Sequence, residues 1–204
     1  MSHNIQELTA HLKTEPIIAW AEAGSKLYNL STPTSDTDIF IITEGKALKG
    51  KQNISGEIDL RLTPFEAYYQ QIQREAISEI DLLMSNTLEY IENTPYKNIL
   101  ENFRPNPYWY YSNSNTLALK FMPKMNDKIR ETRAQYKSLK TSLRAIILGH
   151  RMLEQRLEFT PQFTTEQAEI YWKSLEEFTE RFSNGEHWET IHEDIHKLAI
   201  KMAR

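Results

Sequence analysis

No cysteine occurs among the 204 residues of this chain. That absence excludes disulfides and thiolate zinc sites, and it fits a reducing cytoplasm. No stretch approaches the ~20 consecutive apolar residues that a membrane span requires. Residues Met1 to Glu7 lack the charged-then-apolar pattern of a signal peptide. The expectation is a soluble, cytoplasmic protein with no membrane partner. Strong positive charge is also missing, since a net charge of −4 argues against a cationic coat for nucleic acid. Apolar material is sufficient: at 40% of the chain it can bury the core of one ordinary domain or of two small lobes.

The average charge hides a segregated one. From Lys120 to Arg156, ten Lys or Arg stand against three acids, Asp127, Glu131 and Glu154, so this segment carries a surplus of seven and the rest of the chain a deficit of eleven. A basic segment beside an acidic site suits a triphosphate or nucleic-acid substrate, and a solvated helix face has the same composition. Arg130, Arg133, Lys137, Lys140, Arg144 and Arg151 are spaced 3, 4, 3, 4 and 7 apart. On a helix turning ~100° per residue this spacing confines them to an arc of about 80°. Leu139, Leu143, Ile146, Ile147, His150, Leu153 and Leu157 form the adjoining apolar face.

The densest chemistry lies between Ala23 and Asp38, A-G-S-K-L-Y-N-L-S-T-P-T-S-D-T-D. Asp36 and Asp38 head an apolar run, Ile39 to Thr43, that reads as a buried strand. In a strand, residues i and i+2 share a face, so both carboxylates would project together. Two acids so close repel unless a divalent cation bridges them, and hard oxygen ligands suit Mg²⁺ or Mn²⁺. Upstream, the Gly24-Ser25 turn follows another apolar run. Glycine, lacking Cβ, lets backbone amides and the Ser25 hydroxyl approach a phosphate. The plain alternative is a surface turn capped by Asp36.

Gly-Ser, ten intervening residues and Asp-x-Asp at the head of an apolar strand resemble the signature of the DNA polymerase β-like nucleotidyltransferase superfamily. The fuller string G-S-x-L-Y-x-L-x-T-P-x-S-D-x-D resembles one branch, the predicted nucleotidyltransferases associated with RNA repair. The resemblance implies an α+β protein: a small mixed β-sheet lobe, then a C-terminal helical lobe that closes a nucleotide cleft. It implies Mg²⁺ (or Mn²⁺) on Asp36 and Asp38, a third carboxylate from Asp59, and Gly24 and Ser25 on phosphate oxygens. Glu57 and Asp81 are alternatives to Asp59. A basic helix with a Lys some seven residues before a Leu-Arg pair lines the cleft in that branch. Lys137 and Leu143-Arg144 match it, with Lys140 one turn inside and Ala145 where a proline is common. The implied reaction moves a nucleoside monophosphate from a nucleoside triphosphate to an acceptor hydroxyl, an RNA end being favoured. A catalytically silent relative that binds nucleotide or RNA is the alternative.

The remaining pattern reads as a helix at Ile5 to Leu12, strands at Pro16 to Ala23 and Thr37 to Thr43, a loop through Lys46, Lys49 and Lys51, and a strand at Gly56 to Leu62. Thr63-Pro64-Phe65-Glu66 predicts a capping box and a helix to about residue 78, and Ile80 to Met84 a further strand. A helix near Tyr96 to Phe103 precedes Arg104 to Asn115, where two prolines and polar residues predict irregular chain. The lobe boundary is placed there, giving lobes 1–105 and 106–204, and the four aromatics Tyr108 to Tyr111 are expected to bury beside it. Long helices follow, one opening at Thr165 and ending near Asn184-Gly185, the last carrying Ile191, Ile195, Leu198 and Met202. That last segment contains His192-Glu193-Asp194-Ile195-His196, which satisfies the zinc-protease pattern H-E-x-x-H. Only eight residues follow it, and a histidine pair flanking a core stripe is expected instead.

Overall fold

A computed structural model describes residues 16–45, 50–54, 58–90, 95–126 and 132–204, the side chains of 50–54, 122–126 and 132–134 excepted. The helix expected over Ile5 to Leu12 lies outside them. Two compact units are present: one within Met1–Arg104 together with Thr160–Gln162, the other within Pro105–Phe159 and Phe163–Arg204. The architecture is α+β, a mixed sheet with its helices followed by helices alone.

The first unit contains strands β1 (Ile17–Glu22), β2 (Thr37–Thr43), β3 (Gly50–Ile54), β4 (Ile58–Pro64) and β5 (Glu89–Tyr90). Their order in the sheet is β3-β4-β2-β1-β5. β2 runs antiparallel to β1 and parallel to β4. Its residues Ile39 to Thr43 are all buried, as befits a central strand covered on both faces. On one face Ile39 and Ile41 pack with Trp20, Leu60 and Leu62. On the other, Phe40 meets Tyr68, with ring centroids 5.7 Å apart. Burying each large apolar side chain contributes about 1.5–3 kcal/mol, so β2 is the best-anchored element of this unit.

The helices of the first unit are α1 (Gly24–Leu27), α2 (Phe65–Gln73), α3 (Ile77–Leu83) and α4 (Pro95–Glu101). Four expectations are corrected here. The Thr63–Glu66 capping box does not form, because β4 continues to Pro64 and runs straight into α2. That helix stops at Gln73 instead of residue 78, and Glu75 adopts a left-handed φ of 53°. Ile80 to Met84 is not a strand: Ile80 and Leu82 sit on α3, buried along with Glu79 and Asp81. Seven residues of mixed apolar and acidic type suit either element, and packing decides between them. The segment from Gly50 to Ile54, read as loop, forms the edge strand β3.

The second unit contains α5 (Pro107–Asn126), α6 (Thr132–Gln155), a short 3₁₀ turn (Arg156–Glu158), α7 (Thr165–Ser183) and α8 (Trp188–Ala203). Tyr108 to Asn115, expected to be irregular, is helical. Pro107 occupies the first helical position, where its missing N–H costs nothing, and the Asn106 side chain accepts the amides of Tyr108 and Trp109. Tyr110 is fully buried, whereas Tyr108 and Trp109 are exposed. Small residues let α5 and α6 approach closely. A Cβ on Gly149 would lie 3.1 Å from that of Ser114, and Ser142 Oγ donates to the Ala118 carbonyl. Leu157, assigned to the apolar face, is 76% exposed. The helix ends at Gln155, and Arg156 turns the chain with a φ of 51°. Among the described residues no helix is long and apolar enough to cross a membrane.

Helix α7 opens with a complete capping box: Thr164 accepts from the Gln167 amide, and the Gln167 side chain accepts from the Thr164 amide. Thr164→Ala is expected to cost about 1 kcal/mol. Urea unfolding should show a lower midpoint with an unchanged slope.

Candidate active site

β1 and β2 are paired up to Glu22 opposite Ile39, and the Ala23 amide donates to the Asp38 carbonyl at 2.8 Å. The chain then turns back over Asp38. Gly24 makes that turn with a φ of +63°, and a Cβ built on it would lie 3.0 Å from Asp38 Cγ and nearer still to Oδ2. Left-handed backbone and direct contact with a carboxylate together require glycine at this position.

Parallel pairing sets Asp38 of β2 opposite Asp59 of β4, and Phe40 opposite Arg61. The Arg61 guanidinium lies over the Phe40 ring at 5.0 Å, so these even and odd positions share a face across the two strands. Asp38 and Asp59 lie two residues back along the same pleats and therefore share that face too. Two carboxylates on one face of adjacent strands repel each other.

Asp36 immediately precedes the strand, whose bounds are those expected. β2 begins at Thr37, so Asp36 lies in the preceding loop and is exposed. The loop is closed by its own hydroxyls, with the Thr32 amide donating to Ser35 Oγ at 2.9 Å. Of the alternative acids, Glu57 lies outside the described residues. Asp81 is 1% exposed on α3 and accepts a hydrogen bond from the Tyr28 hydroxyl at 2.8 Å, which makes it an internal anchor of the chain after α1.

The four-residue α1 that carries Ser25 is held at both ends. Its start is the Gly24 turn. At its end the Ser25 carbonyl accepts from the amides of Tyr28 and Leu30, and the Leu27 carbonyl accepts from Gln162 Nε2 at 2.9 Å. Gln162 is nearly buried. Lys26 pairs with Glu22 at 3.2 Å. Neither Gln162 nor Asp81 had a local signal for these contacts, which span 135 and 53 residues.

Among the described residues no group of three or more His, Asp or Glu side chains is placed to hold a metal ion. The fit to Mg²⁺ therefore rests on Asp38 and Asp59 as two hard oxygen donors. Mg²⁺ commonly binds through one or two carboxylates and fills its sphere with water and substrate phosphate, and this pair meets that requirement.

The cations of the second unit divide by burial. Arg130 and the Arg133 side chain lie outside the described residues. Lys137 is exposed, while Lys140 and Arg144 are half-buried. Lys140 Nζ stands 4.6 Å from the centre of the Trp172 ring. Burial, then the charges of Arg144 and Lys137, lower its pKa, which marks a local crowding of positive charge. Arg151, counted with this stripe, is 3% exposed and lies over the Phe163 ring, so it belongs to the interior. A separate cavity of about 150 Å³ in the first unit, lined by Leu83, Leu88, Leu100 and Phe103 among others, includes none of the expected site residues.

Gly24→Ala is expected to destabilise the first unit by about 1–3 kcal/mol, because it adds left-handed strain and displaces the Asp38 carboxylate. Thermal unfolding of the variant beside a control, Gly185→Ala, isolates the carboxylate contact: Gly185 also has positive φ, but a Cβ there meets nothing within 4 Å.

No protein-family model matches the chain, and no curated protein does. Among solved structures it is similar to a nucleotidyltransferase-like protein from Exiguobacterium sibiricum 255-15, at 15% identity and a TM-score of 0.31, over 98% of this chain and 71% of that one. At that score the likeness carries no weight for fold or chemistry, and the site stands on its own geometry.

Proposed function

We propose that this chain is a Mg²⁺-dependent nucleotidyltransferase that moves a nucleoside monophosphate from a nucleoside triphosphate to an acceptor hydroxyl and releases pyrophosphate. The observation that carries the reading is the in-register pair Asp38 and Asp59 with the Gly24 turn closed over Asp38. Bound Mg²⁺ would supply charge neutralisation for the triphosphate and acidify the attacking hydroxyl. Asp38 is the principal ligand. Asp59 orients the acceptor hydroxyl and takes its proton on a carboxylate oxygen as the new O–P bond forms and the bond to pyrophosphate breaks. The Gly24 amide and the Ser25 hydroxyl hold phosphate oxygens, an arrangement that the fixed ends of α1 pre-organise. Asp36 is assigned as a further ligand, and Lys137, Lys140 and Arg144 are assigned to phosphate binding. An RNA end is the acceptor that the sequence resemblance favours.

A second reading has its own support. Asp36 is exposed ahead of β2, and no three-ligand group is present among the described residues. Both features suit a module that binds nucleotide or RNA without turnover.

The two readings separate in one assay. The wild-type chain, given Mg²⁺, labelled nucleoside triphosphates and a panel of RNA and small hydroxyl acceptors, should release pyrophosphate. Asp38→Asn should reduce release to background while the fold is retained. Nucleotide binding that is equal with and without Mg²⁺, with no turnover on any acceptor, establishes the binding module.

A further inference from the structure

The H-E-x-x-H segment takes no part in the proposed reaction, yet its histidines are packed against other rings. His192 and His196 lie one turn apart on α8, with ring centroids 4.6 Å apart. Against them stands a third imidazole that local sequence does not pair with them, His150 of α6. His150 Nε2 and His196 Nδ1 are 3.0 Å apart, hydrogen-bond distance, and the rings meet edge to face. All three are half-buried. They rim an apolar seam in which Ile191, Ile195 and Ala199 of α8 are fully buried.

An imidazole–imidazole hydrogen bond has a definite proton capacity. One ring donates N–H and the other accepts on a bare nitrogen. A first added proton leaves a charge-assisted N–H···N bond in place. A second sets two N–H groups and two positive charges against each other, and the contact must break. His192 has no relief to offer, because its Nε2 is buried without a hydrogen-bond partner among the described residues. The titratable groups facing the cluster are Tyr111 of α5, edge-on to His150, Glu154 of α6 and Glu193 of α8. Trp188 covers the other side of His192. The two glutamates favour protonation, but burial outweighs them and lowers the pKa of both His150 and His192. Burial first, then His192 and His150, push His196 down to about 4.

We infer that His150, His192 and His196 form a proton-sensitive latch between α6 and α8, closed while the cluster holds at most one proton and released when acidification forces in a second. The sign follows from linkage. Each ring binds protons more weakly in the closed state than free histidine does, at an ordinary pKa of about 6.5. The open state therefore takes up more protons below that value, so the seam has its full stability above pH ~6.5, loses it as pH falls, and levels off near pH ~4. This latch is independent of the proposed reaction.

The test uses the full chain. Amide hydrogen exchange, corrected for intrinsic rates, is followed between pH 7 and 4.5 on α8 and on β2. The opening constant of α8 should rise by about tenfold per pH unit for each proton taken up, while β2 changes little. His196→Gln, which cannot titrate, should flatten the rise, and His150→Gln should do the same if the first variant folds poorly. Ring ¹³C–¹H titration of the wild type needs no variant: the His196 ring should stay neutral until close to pH 4. An ordinary titration of His196 near 6.5, an equal rise on β2, or an unchanged slope in both variants would overturn the latch.

Discussion

Two like charges on neighbouring strands, with a glycine α-carbon pressed against one of them, form the constraint on which the first unit is built. The parallel register of β2 and β4 puts Asp38 beside Asp59. The apolar residues beyond them hold it: Ile39 and Ile41 are fixed on one face with Trp20, Leu60 and Leu62, and Phe40 on the other against Tyr68. The burial of the strand interior thus supplies the free energy that keeps a mutually repulsive pair together at its head, as strained or charged sites are commonly sustained by their surroundings.

Much of this arrangement was legible in the sequence. The uninterrupted apolar run Ile39 to Thr43 marked the central strand, and Gly24 marked a turn that a Cβ would obstruct. What escaped was whatever depends on partners distant in the chain. Asp59 was preferred to Asp81 as the third carboxylate, but its register opposite Asp38 and the bond from Tyr28 that holds Asp81 in the interior are encoded in no local pattern. Pro107 read as a breaker because the same residue that ends a helix also begins one, and only the Asn106 cap distinguishes the two roles.

The helical unit shows the same limit in a different form. Lys137, Lys140, Arg144 and Arg151 fall within one arc of α6 by spacing, yet Lys137 is exposed, Lys140 stacks over Trp172 and Arg151 is buried over Phe163. A helical wheel orders side chains around an axis and carries no information about what stands opposite. The histidines of α8 make the same point. Their spacing led to the expectation of a pair flanking a core stripe, and the third ring, contributed by α6, turns them into a hydrogen-bonded cluster in which the number of protons is the variable.

The contact between Gln162 and the Leu27 carbonyl bears on how this chain can be divided. Thr160–Gln162 belong with the sheet-bearing unit although helices of the other unit precede and follow them. A fragment ending at Arg104 would retain every described strand and still leave the end of α1 with a stripped carbonyl and a void where a nearly buried amide had been. The two units are interleaved along the polypeptide, and severing the chain at a single point between them would remove part of the frame that holds the Ser25 turn.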